Sequence, residues 1–178
     1  MRTRALALFL CLALPTSASA QGLMADMHND VNDVQKKFID LAKAIPEPAY
    51  SWRPPGVRSV GEVLLHVASD NYLIPIMMGK PAPASTGISG TDFKTVETYE
   101  KQKLSKALII AELEASFRHL QEAMFLTTDA NLNENIKFFG QDWTRQRAML
   151  LTVMHLHEHL GQMIAYARSN KVAPPWTR

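Results

Sequence analysis

The sequence predicts an all-α fold, a four-helix bundle with a long loop between helices two and three. Three observations point there. Apolar residues recur at steps of three and four in four separate windows, prolines and glycines gather mainly between those windows, and no alternating run is long enough for a real sheet.

The chain opens with Arg2 and Arg4, an apolar run over residues 5–14, and then Ala18-Ser19-Ala20. That is the three-part layout of a secretory signal, with cleavage expected before Gln21 and export to the periplasm or beyond. The run is shorter than the about 20 apolar residues a membrane-spanning helix needs, so no stable membrane insertion is expected. Cys11 is the only cysteine and lies inside this segment, which leaves the mature chain without a disulfide or a reactive thiol. Removing residues 1–20 also removes two arginines and no acids, so the 19 basic residues fall to equal the 17 acidic ones. Nothing in that balance argues for nucleic acid or anionic lipid as a partner. The remaining length, about 158 residues, suits one domain over 21–178.

Helix one is expected over residues 23–45, where Leu23, Met27, Val31, Val34, Phe38, Leu41 and Ile45 form one buried stripe. Pro46 and Pro48 end it, because a proline disfavours helical geometry in the residue before it. The connection that follows is rich in proline and aromatics, with Trp52 as its packing anchor. Helix two begins after Ser59. Glu62, three residues on, completes the spacing of a capping box, in which the serine and glutamate side chains each satisfy a backbone donor of the first turn. Val60, Val63, Val67 and Ile74 make its buried stripe, His66, Asp70 and Met77 lie along an adjacent edge, and Pro75 kinks or ends it.

Pro81, Pro83, Gly87 and Gly90 break the pattern between residues 79 and 101, which reads as a long loop of the kind that is often functional. Helix three is expected over 105–126, where Leu108, Ala111 and Ala115 run beside Ile110, Leu113, Phe117, Leu120 and Met124. Residues 127–143 allow a short extended excursion. Helix four covers about 144–170, followed by Pro174 and Pro175.

Residues 155–162 carry the chemistry. His155 and His159, four apart on a helix, present two imidazoles on one face, so both can reach one ion. His157 is turned about 200° from His155 at ~100° per residue and faces elsewhere. A third ligand is needed, and His66 is the natural donor if helices two and four meet across the core. Three neutral imidazoles leave further coordination positions open, as catalytic zinc sites do. Asp70, one turn beyond His66, is the candidate carboxylate behind an imidazole, and Gln162 a candidate hydrogen-bond partner for a ligand or substrate. Glu158 points the wrong way. His119 shares a face with Glu112 and Ala115 and reads as solvated. Trp143, Phe138 and Phe139 are candidates for the mouth of the site, with plain packing the favoured account.

The run His155-x-x-x-His159-x-Gly161-Gln162, then Tyr166-Ala167-Arg168 and Pro174-Pro175, resembles the last helix and tail of the DinB-like superfamily. Trp52-Arg53-Pro54 through Ser59-Val60-Gly61-Glu62-Val63-Leu64-Leu65-His66 resembles that family's entry to helix two. The resemblance implies a four-helix bundle, commonly a homodimer, that holds a divalent ion, usually nickel or zinc, on one histidine from helix two and two from helix four. Those correspond to His66, His155 and His159. The better-understood relatives are thiol-dependent transferases and a maleylpyruvate isomerase, which act in the cytoplasm, whereas this chain carries an export signal. The expected function is an exported metal-dependent hydrolase or transferase acting on a small molecule. The alternative is a non-catalytic metal-binding or dimeric protein of the cell envelope.

Overall fold

The computed structural model describes residues 22–177; the expected signal, with Cys11, lies outside the described residues. Beside three short 3-10 turns, five α-helices and one hairpin make up the regular structure among the described residues: α1 (Leu23–Ala44), α2 (Val60–Met77), α3 (Lys94–Glu100), α4 (Lys106–Met124), β1 (Asn135–Phe138), β2 (Gln141–Thr144) and α5 (Arg145–Ser169). The four long helices pack in a ring, α1 on α4, α4 on α2, α2 on α5 and α5 on α1.

The α1 stripe is buried from Met27 to Ile45, and only its first member, Leu23, is exposed. Asp129 Oδ1 accepts from the Met24 N–H (3.0 Å), which supplies from a distant loop the cap that Gly22 lacks. At the other end the Lys106 ammonium donates to the carbonyls of Lys43 (2.8 Å) and Ile45 (2.7 Å), placing a cation where the helix dipole is negative.

The capping box forms as its spacing predicts. The Glu62 N–H donates to Ser59 Oγ (3.3 Å), and the Ser59 N–H donates to Glu62 Oε2 (2.8 Å). Beyond it α2 is apolar on nearly every side, because α3, α4 and α5 all pack against it. Its partly open positions include Glu62, His66, Asp70 and Met77, a strip along one edge of an otherwise buried helix. Pro75 does not break it at once; the helix runs two residues further, to Met77.

The expected loop over 79–101 contains a short helical turn (Ala84–Thr86) and then α3, anchored by buried Val96 and Tyr99. In α4 the buried face is Ile109, Leu113, Ser116, Phe117, His119, Leu120, Ala123 and Met124, so Leu108 and Ala111 of the expected stripe lie outside it. The extended excursion is a hairpin with Asn135 opposite Thr144 and Phe138 opposite Gln141. Its two-residue turn, Phe139-Gly140, has positive φ at both positions (48° and 79°), the twist that joins two antiparallel strands tightly. Phe138 is fully buried and stacks on Trp143 (centroids 4.6 Å apart), and the Arg147 guanidinium lies 3.8 Å from the Trp143 ring. Phe139 is exposed and lies against Phe93. Packing, not the mouth of a site, accounts for these aromatics.

Candidate metal centre

The open edge of α2 meets the corresponding edge of α5, and there three imidazoles converge. His66 comes from α2, and His155 and His159 come from successive turns of α5, so the four-residue spacing does what helical geometry requires. The ring centroids are 5.5 Å apart for His66 and His155, 4.7 Å for His66 and His159, and 4.4 Å for His155 and His159. One nitrogen from each lies within 4.8 Å of the others, so the group could hold a metal ion. All three side chains are half-buried.

In two of the rings it is Nδ1 that is already occupied. His66 Nδ1 donates to Glu100 Oε1 (2.7 Å), and His159 Nδ1 donates to Gln162 Oε1 (2.9 Å). A hydrogen bond at Nδ1 fixes the tautomer and leaves the Nε2 lone pair free to face an ion. His159 is also held below the usual histidine range, chiefly by burial; neighbouring His155 and His66 act in the same direction, and the bond to Gln162 and the charge of Asp70 only partly oppose it. Its neutral form, the one that ligates, is therefore the resident one.

These outer contacts belong to a connected belt. Glu100 Oε1 also accepts from Ser69 Oγ (3.1 Å), and Glu100 Oε2 accepts from the Arg58 guanidinium (3.1 Å). Gln162 Nε2 donates to the Tyr166 hydroxyl (3.1 Å), which donates in turn to the Arg58 carbonyl (3.1 Å). Trp52 sits edge-on to Tyr166 at 5.3 Å. One residue, Arg58, thus ties the support of His66 to the support of His159. Burial alone would raise the Glu100 carboxyl, but its bond to His66 and the charges of His66 and Arg58 outweigh that and bring it below the usual carboxylate range.

Gln162 is where the sequence places it, beside His159. Asp70 bonds an imidazole, that of His155: Oδ2 is 2.6 Å from His155 Nε2 and 3.4 Å from His66 Nε2, the nitrogen that Glu100 leaves free. The carboxylate that stands behind His66 is Glu100, which the sequence reading missed because it lay in the supposed loop. The signal that could have found it is weak: Asp92 caps the N–H of Lys94 (3.0 Å), and the apolar pair Val96 and Tyr99 follows at helical spacing.

The other histidines stay outside. His157 pairs with Asp30 at the surface (2.9 Å), as its angular position requires, and Glu158 is exposed. His28 stacks on Phe125, 4.6 Å between centroids. His119 is buried, not solvated, and this corrects the sequence reading. Tyr72 lies against it at 5.3 Å, and Tyr99 of α3 lies 6.0 Å from Tyr72, so the helix hidden in the loop helps to roof this flank.

The donor set fits a divalent ion of intermediate softness, since imidazole nitrogens suit zinc, nickel and iron alike. None of the described helices is long and apolar enough to cross a membrane. No curated protein matches the chain. Among solved structures it is similar to a DinB-like protein from Bacillus cereus ATCC 10987, with TM-score 0.70 and 17% identity over 87% of this chain and 97% of that one. It is also similar to an uncharacterised protein from Escherichia coli UTI89, with TM-score 0.62 and 17% identity over 88% of this chain and 99% of the other. At that identity the likeness speaks to the fold. The model of the DinB superfamily, however, matches residues 31–163, most of the chain, and the protein is a member of the DinB superfamily.

Proposed function

We propose that the protein is an exported four-helix bundle that holds one divalent ion, zinc or nickel, on His66, His155 and His159 and uses it as a hydrolase or transferase on a small molecule. One observation carries this reading: three imidazoles from two helices converge while Glu100 and Gln162 hold the outer nitrogens of two of them. The ion, when bound, supplies a Lewis acid that polarises a substrate oxygen or sulfur and lowers the pKa of water at an open position. The chain does the rest. Glu100 orients His66, Gln162 orients His159, and the Arg58 and Tyr166 contacts keep both supports in register. Gln162, which bonds His159, also lines a cavity of about 530 Å³ with Arg53, Arg58 and Glu62, large enough for a small substrate.

A non-catalytic role has one observation in its favour. The ligands bridge α2 and α5, so an ion there fastens two helices and adds folding stability whether or not anything turns over. Screening the zinc- and nickel-loaded protein for ester, amide and phosphoester hydrolysis and for thiol transfer, beside His159→Ala, separates the two. Turnover that disappears in the variant supports the enzyme. Metal-raised melting with no turnover in any class supports the structural reading. Export is checked by fractionating cells that express the full chain, and the proposed homodimer by light scattering of the purified protein.

A further inference from the structure

The three-histidine reading leaves one polar group at the centre without a role, the Asp70 carboxylate. Its side chain is only 15% exposed, and among the described residues its ion-pair partners are His155 and His66, with no arginine or lysine. A carboxylate taken this far from water needs a compensating positive charge, and two imidazoles that serve as neutral ligands do not provide one. Its neighbour Glu100 shows the contrast, because Arg58 supplies the cation there.

The position of Oδ2 points to what is missing. Nitrogen and oxygen ligands sit about 2.0–2.2 Å from a zinc ion. Two such ligands on one ion are therefore about 3.0 Å apart at right angles and about 3.4 Å apart at the tetrahedral angle. Oδ2 lies 3.4 Å from His66 Nε2, at that spacing, and 2.6 Å from His155 Nε2, where it accepts an N–H bond that an arriving ion would replace. His66 Nε2 is the inward nitrogen, since Nδ1 is held by Glu100. Asp70 Oδ2 thus lies at ligand spacing from His66 Nε2 and in contact with His155 Nε2, beside the three imidazoles that converge within 4.8 Å of one another. It is one helical turn from His66, so α2 presents both groups to the same point.

We propose that Asp70 is a fourth, oxygen ligand, making the site three imidazoles and one carboxylate; this rests on the three-histidine reading and extends it. Two consequences follow from the chemistry. The carboxylate cancels one of the ion's two positive charges, so the site polarises its substrate less strongly than three imidazoles alone. A four-coordinate zinc ion would then be closed, as in structural sites, whereas a six-coordinate nickel ion would keep two positions open. Which metal is bound decides whether the site can act on a substrate.

The test is the structure of the zinc-loaded wild type, with zinc affinities by chelator competition for wild type, Asp70→Asn, Asp70→Ala and His155→Ala. Asp70 Oδ2 at about 2.0–2.2 Å from the ion, with at least a hundredfold loss of affinity in Asp70→Ala, supports the proposal. Oδ2 more than about 3.5 Å from the ion, or an Asp70→Ala affinity within threefold of wild type, overturns it. Far-UV circular dichroism of the metal-free variants checks that they fold, and the wild-type structure decides the matter without any variant. If wild type binds zinc and His155→Ala does not, while Asp70→Ala binds normally, only this inference fails. If wild type binds no zinc, the three-histidine reading fails with it.

Discussion

Two groups of histidines in this chain are removed from water to different ends. At the α2–α5 edge, His66, His155 and His159 each have a hydrogen-bond partner, and two are held by groups that stand behind them. Within the core, His119 is 7% exposed, and its Nε2 has no hydrogen-bond partner. The first arrangement spends polar contacts on orienting rings toward a common point. The second leaves a desolvated nitrogen that costs stability and orients nothing. Burial of a histidine therefore says little about function; its partners say more.

Breaking the partnered cluster should have the largest effect. His155→Ala should lower zinc or nickel affinity by at least about a thousandfold, read by chelator competition. It should also remove the stabilisation that the ion gives wild type, which by mass action reaches about 4 kcal/mol at a thousandfold excess over Kd and is read as a rise in melting temperature. Glu100→Gln keeps the shape and a hydrogen bond to His66 but removes the charge. It should cost roughly ten- to a hundredfold in metal affinity, as loss of an outer carboxylate does, with little change in the melting of the metal-free protein.

His119 sharpens the contrast from the other side. Burial chiefly, with Lys80 adding to it and Glu122 opposing, lowers its pKa below the usual histidine value. A depressed pKa means that the unfolded chain takes up the proton more readily. The contribution to stability is therefore complete above the unfolded value of about 6.5 and is lost as pH falls through the folded value. His119→Phe should remove that acid limb, leave metal affinity unchanged, and be neutral or stabilising by about 1 kcal/mol, as measured by urea unfolding at several pH values. The smallest effect belongs to His157, two residues from His155 but paired with Asp30 at the surface. His157→Ala should change stability by at most about 0.5 kcal/mol and leave metal binding as it was.

The elements that could be read from the sequence share a property: their signal is periodic or local. The α1 stripe, the Ser59–Glu62 capping box and the His155–His159 pair each need only helical spacing to be recognised. What could not be read depends on contacts between distant segments. The seven-residue α3 carries two apolar anchors amid prolines and glycines, too few for a periodic signal, and Glu100 was hidden with it. Its Tyr99 also donates to Glu112 on the face where His119 reads as solvated, and Tyr72 of α2 packs on His119 itself. Asp70 illustrates a finer limit. The four-residue spacing puts it on the same face as His66, but only the bond that Nδ1 donates to Glu100 leaves Nε2 as the ring nitrogen nearest this carboxylate.

The most direct test of the account is the metal content of the untagged protein after dialysis against zinc or nickel, compared with His66→Ala, His155→Ala and His159→Ala treated alike. The account predicts close to one ion per wild-type chain and almost none in each variant. A wild type that carries no metal, or variants that retain a full equivalent, would contradict it.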